Sequence, residues 1–93
     1  MVNLKVDMFG MPAQVTDLKS VDVELNDGAQ VKDVVAELRR KIPGLEGAVI
    51  NPATNRLTEM YAFNINGQFH YDDSDLRLKN GDRLMLLLLA TGG

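Results

Sequence analysis

Gly92 and Gly93 close the sequence, two residues after a run of four leucines at 86–89. A carboxylate on an unbranched end can enter an enzyme's active site as a substrate. Glycine has no Cβ, so the backbone there can approach another protein closely, in conformations closed to other residues. The terminus is therefore the first candidate for chemistry, against a background in which chain ends are commonly loose. Other reactive side chains are few. The single histidine, His70, sits beside Phe69 and Tyr71, with Asp72, Asp73 and Asp75 just beyond. One imidazole without a second nitrogen ligand is a poor transition-metal site, and an alternating position on an edge strand predicts an exposed ring. The aspartates lack the spacing and the closing glutamate of a calcium loop and read as turn residues. No metal site, no bound cofactor and no catalytic side chain is expected. Cysteine is absent, which removes thiol nucleophiles and disulfides and fits a reducing compartment, so a cytoplasmic location is expected.

The elements that would position this terminus follow from hydrophobic periodicity. Val2, Leu4, Val6 and Met8 alternate with Asn3, Lys5 and Asp7, the pattern of a half-buried strand. Gly10, Met11 and Pro12 interrupt it. A second alternating stretch leads from Leu18 or Val21 into Val23 and Leu25, and the two strands are expected to form a hairpin. After Asn26, Asp27 and Gly28, the residues Val31, Val34, Val35, Leu38 and Ile42 recur at the spacing of one helical face. Pro43 should stop this helix, with Gly44 taking the left-handed conformation common past a helix end. Residues 44–58 are irregular and long for a loop, which marks them as a candidate partner-specific insertion. Residues 60–65 and 68–71 flank Asn66-Gly67, the strongest short hairpin signal. Leu76 and Leu78 are expected to plug the core, Asn80-Gly81 turns the chain, and residues 83–89 form the last strand.

Two strands, a helix, a hairpin and a final strand make an α+β chain of the β-grasp (ubiquitin-like) type. The sheet is mixed, with four to five strands, and the one main helix lies across one face. The first and last strands are expected to lie side by side and parallel. A ferredoxin-like fold needs a second helix, and no pattern for one follows Gly44. With 93 residues, one domain over 1–89 and a flexible tail over 90–93 are expected.

The net charge of −3 argues against nucleic-acid binding, which calls for a basic face. The one basic cluster, Arg39, Arg40 and Lys41, falls where cations meet the negative end of the helix dipole. Phe9, Phe63 and Phe69 are too scattered to stack bases and are expected to pack. No stretch has the apolar length of a membrane span or the build of a signal peptide.

The helix at 31–42 ending at Pro43-Gly44, the hairpin Phe63-Asn64-Ile65-Asn66-Gly67, and Leu78-Lys79-Asn80-Gly81-Asp82-Arg83-Leu84 leading to Ala90-Thr91-Gly92-Gly93 together resemble the ubiquitin-like sulfur carriers. MoaD, ThiS and the CysO carrier of cysteine synthesis represent that family, and the segment between helix and hairpin is more similar to the CysO type. The resemblance implies that the Gly93 carboxylate is adenylated by a ubiquitin-activating-like adenylyltransferase that consumes ATP. It is then converted to a thiocarboxylate that feeds molybdopterin, thiamine, cysteine or thionucleoside synthesis. Thr91 and Gly92 would thread the tail into partner active sites. The chain itself would be a protein co-substrate or the non-catalytic small subunit of a synthase, and its second partner a sulfur-accepting enzyme. Two alternatives remain: a ubiquitin-like modifier joined to lysines through Gly93, and a β-grasp interaction module without terminal chemistry.

The last strand adds an expectation of its own. If Leu84, Leu86 and Leu88 face the helix, Met85, Leu87 and Leu89 face the opposite way. An apolar outer face of this kind marks a partner interface, unless residues 44–58 fold over it.

Overall fold

The computed structural model describes residues 1–9, 18–58, 60–70 and 74–89. Strand β1 (Val2–Phe9) pairs antiparallel with β2 (Ser20–Leu25) in the expected hairpin. Helix α1 (Val31–Lys41) follows, then a 3-10 turn (Pro43–Leu45), the two-residue strands β3 (Ile50–Asn51) and β4 (Arg56–Leu57), the hairpin of β5 (Tyr61–Ile65) and β6 (Gln68–His70), and β7 (Arg83–Leu88). The main sheet runs β2-β1-β7-β5-β6, with β1 and β7 parallel and the other neighbours antiparallel. This is the ubiquitin-like β-grasp fold.

The helix is rich in valine, whose branched side chain loses rotamer freedom in a helix. Packing therefore carries it: Val31, Val34, Val35 and Leu38 are all fully buried, and they meet Val6, Phe63, Leu84 and Leu86 from the sheet in one core. Its ends are satisfied locally. The Asp33 carboxylate accepts the Gln30 N–H at 2.8 Å, and the Arg39, Arg40 and Lys41 cluster lies in the last turn, where it complements the dipole.

Four details depart from the sequence expectations. Gly44 is absent from the left-handed glycines among the described residues, which are Gly28, Gly47, Gly67 and Gly81; Pro43 opens a 3-10 turn, and the left-handed glycine comes only at Gly47. Leu88 is 38% exposed although Leu84, Leu86 and its cross-strand neighbour Tyr61 are buried, so facing the helix side does not by itself bury a side chain. Phe63 packs in the core, whereas Phe9 and Phe69 are 51% and 57% exposed, both on the sheet face away from the helix. His70 stands opposite buried Phe63 and is half-buried rather than exposed, with Nδ1 2.9 Å from Ser74 Oγ.

Residues 44–58 fold onto the helix side: Leu45, Val49 and Ile50 are fully buried and join the core. The Arg39 guanidinium ties the segment down, donating to Glu46 Oε1 at 2.8 Å and Asn55 Oδ1 at 3.1 Å. At the β5-β6 turn, Asn66 and Gly67 have φ of 53° and 92°, the two left-handed positions that a tight hairpin turn requires. Leu78 is buried and Leu76 packs partly against the core, as expected. Among the described residues, no helix is long and apolar enough to cross a membrane.

Candidate partner surface at the root of the C-terminal tail

The outer face of the sheet is read from the strand registers, since residues paired across a ladder share a face. One row runs Asp7, Met85, Asn64, Phe69. The next runs Phe9, Leu87, Ala62. At the end of the strand, the Leu89 N–H donates to the Met60 carbonyl at 2.7 Å. Met85, Leu87 and Leu89 are half-buried, while Phe9, Leu18, Met60 and Phe69 are exposed. Leu18 continues the outward alternation of β2, two residues before Ser20, which pairs with Asp7. Apolar surface thus accumulates at the end of the sheet where β7 leads into residues 90–93. Ala90, Thr91, Gly92 and Gly93 lie outside the described residues, as do Tyr71, Asp72 and Asp73.

Met85, Leu87 and Leu89 therefore belong to one surface with each other and with residues that sequence periodicity did not single out. Phe9 was missed because its own strand explains only one face. Its place beside Leu87 comes from the parallel β1-β7 register, which joins residues far apart in the chain. The insertion at 44–58, which could have covered this face, packs on α1 instead.

Elsewhere several charged groups have structural partners. Arg40 donates to both oxygens of Glu37 at 3.1 and 2.9 Å, and these hydrogen bonds are the main reason the Glu37 carboxyl lies below the usual carboxylate range, with slight burial opposing the shift. Lys41 Nζ donates to the Asp22 carbonyl at 2.6 Å. His70 shares Ser74 Oγ with the Leu76 N–H, which donates to it at 3.2 Å; this pairing anchors the chain after β6. Among the described residues, no group of three His, Cys, Asp or Glu could share a metal ion.

Comparison with known proteins is consistent with this architecture. Residues 6–93 match the ThiS family. A search of curated proteins gives no match. Among solved structures, small archaeal modifier protein 1 (SAMP1) from Haloferax volcanii superposes with a TM-score of 0.81 at 24% identity, covering 98% of this chain and 99% of that one. The protein of the same name from Methanosarcina acetivorans gives 0.76 at 22% identity, with 100% and 98% covered. A Pyrococcus furiosus protein described as molybdopterin converting factor, subunit 1, gives 0.75 at 23% identity, with 96% and 99% covered. At these identities the structural likeness speaks for the fold. The family match extends from within β1 to Gly93, and with the strand order β2-β1-β7-β5-β6 it establishes that the chain belongs to the ThiS family.

Proposed function

We propose that this protein is a sulfur carrier. The Gly93 carboxylate attacks the α-phosphorus of ATP on a ubiquitin-activating-like adenylyltransferase and displaces pyrophosphate. A sulfide-level sulfur donor then attacks the acyl carbon and expels AMP, leaving a terminal thiocarboxylate. Adenylation supplies the leaving group that a carboxylate lacks, and the thiocarboxylate is a nucleophilic form of sulfur that a second enzyme can accept. The carrier contributes presentation, and the partners contribute nucleotide, acid-base and acceptor chemistry.

The observation that carries this reading is the apolar surface of Phe9, Leu87, Leu89 and Met60 at the root of the tail. Four residues separate Leu89 from the end of the sequence, and fully extended they reach at most about 14 Å. An enzyme that takes Gly93 into its active site must therefore also rest against the body of the carrier near Leu89. Met85, Leu87 and Leu89 are the proposed interface, Thr91 and Gly92 the segment threaded into the partner, and Gly93 the activated residue. Methionine suits a surface that must fit both an activating enzyme and an acceptor.

Intact-mass measurement of the protein recovered from its own cells without reducing agents tests the proposal. The expected product carries the mass gain of one oxygen exchanged for sulfur, localised to Gly93 and lost when Gly93 is deleted. The second reading, conjugation of Gly93 to lysines, uses the same activation step, and small archaeal modifier protein 1 offers a precedent on the same fold. Free carboxylate together with branched lysine adducts on other proteins would favour it over the carrier.

A further inference from the structure

The start of β7, at the other end of this face, carries charge. Arg83 stands beside Lys5 of β1 in the parallel register. Like charges in adjacent cross-strand positions destabilise a sheet. Asp22 faces Lys5 from β2, yet neither cation takes part in any of the ion pairs found among the described residues. In a chain of net charge −3, folding does not call for two unneutralised cations side by side.

Arg83 borders a surface cavity of about 500 Å³ whose other walls are Asn64, Asn66, Gly67 and Met85. The hydrogen-bonding groups of this cavity are one-sided. Asn64 Oδ1 accepts the Gly67 N–H at 2.9 Å, which orients the amide and leaves its NH2 as an unused donor. Asn66 is held at both ends of its amide: its Nδ2 donates to Asp82 Oδ1 at 3.0 Å and its Oδ1 accepts the Arg83 N–H at 2.9 Å. The second Asp82 oxygen accepts the Lys79 N–H at 2.8 Å. Asp7 flanks Met85 from β1 and forms no ion pair with Arg83 or Lys5. The groups with no hydrogen bond of their own are the Arg83 guanidinium and the Asn64 NH2, which line the cavity together with Met85.

We propose that this notch receives an aspartate or glutamate side chain of the adenylating partner. A carboxylate is planar and accepts two parallel N–H bonds from a guanidinium, and the Asn64 amide offers a further donor. Met85 belongs to both the notch and the apolar rows, so a partner seated on Leu87 and Leu89 also covers Arg83. Six residue steps of extended chain, about 20 Å, lead from Arg83 to Leu89. The notch thus checks the partner at the far end of the face from the reacting terminus. This inference rests on the carrier reading and adds to it the means by which one activating enzyme is distinguished from another.

The test is ATP–pyrophosphate exchange by the cognate adenylating enzyme with the full chain as substrate, comparing wild type with Arg83→Glu, Asn64→Asp and Lys32→Glu. Asn64→Asp keeps the oxygen that accepts from Gly67 and replaces the free donor by an acceptor. Lys32→Glu makes the same charge change as Arg83→Glu on the exposed side of α1. Arg83→Glu and Asn64→Asp are expected to raise KM about tenfold or more with kcat unchanged and to weaken the salt dependence of KM, while Lys32→Glu leaves KM as it was. Arg83→Glu puts a carboxylate beside Lys5, so its Tm should hold or rise, which separates lost recognition from lost folding. Unchanged KM in both notch variants, or an equal rise with Lys32→Glu, overturns the notch while leaving the carrier reading standing. No exchange with wild type overturns the carrier reading, and the notch with it.

Discussion

On one face of β7, Leu84 and Leu86 are 1% and 0% exposed, whereas Met85, Leu87 and Leu89 on the other face are only half-buried. The residue types are nearly the same. Helix α1 covers the first set and joins it to a single core with Val6, Val35, Leu38 and Phe63, and no described helix or insertion covers the second. A sheet with one face packed and one face solvated normally alternates apolar and polar residues, as β1 does at Lys5 and Asp7. β7 keeps apolar residues on both faces. The inner leucines belong to the core, and the outer residues form the surface proposed for a partner.

The contrast can be broken most strongly from the inner side. Leu86→Ala should cost about 2–5 kcal/mol, a large share of the stability of a domain this small, and urea denaturation should show it as a lower midpoint. Leu87→Thr places a β-branched residue, well suited to a strand, at this position and should cost only about 1 kcal/mol. The same variant should raise the KM for adenylation severalfold, measured by pyrophosphate exchange. A large stability loss at Leu87, or an unchanged KM, would mean that the two faces are not divided between folding and recognition. The smallest effect belongs to a site that touches neither face. The Arg40 guanidinium holds the Glu37 carboxyl below its usual range, so the pair supports the folded state above the ordinary carboxylate pKa and loses that support as pH falls through the lowered value. Both groups lie at the surface, where such pairs contribute little. Glu37→Gln should lower Tm slightly at neutral pH and leave it unchanged in acid strong enough to protonate Glu37, as thermal denaturation at the two pH values would show.

Local patterns made much of this legible. The 3.6-residue spacing of Val31, Val34, Val35 and Leu38, the two-residue alternation of Val2, Leu4, Val6 and Met8, and the turn at Asn66-Gly67 each depend on neighbours in the chain. All three correspond to elements of the structure. Met85, Leu87 and Leu89 could be assigned to one face for the same reason. Burial was less legible. Leu88 continues the inner alternation and is nevertheless exposed, because strand parity says which way a side chain points and not what packs against it. Residues 44–58 read as a loose insertion because 3-10 turns and two-residue strands have no period long enough to detect, yet they supply Leu45, Val49 and Ile50 to the core.

The sequence by itself determined the order of the main-sheet strands and the helix, the helical face, the turn at Asn66-Gly67 and the placement of two glycines after the last strand, all consequences of short-range geometry and side-chain chemistry. Only the tertiary structure decided which distant residues share a surface. The parallel β1-β7 register sets Phe9 against Leu87 and Lys5 against Arg83. The β5-β7 ladder brings Asn64 beside Met85, and residues 44–58 fold onto α1 and not over that face. These pairings depend on how one helix stripe and one sheet face bury each other, a condition met by the whole chain at once and by no short segment of it.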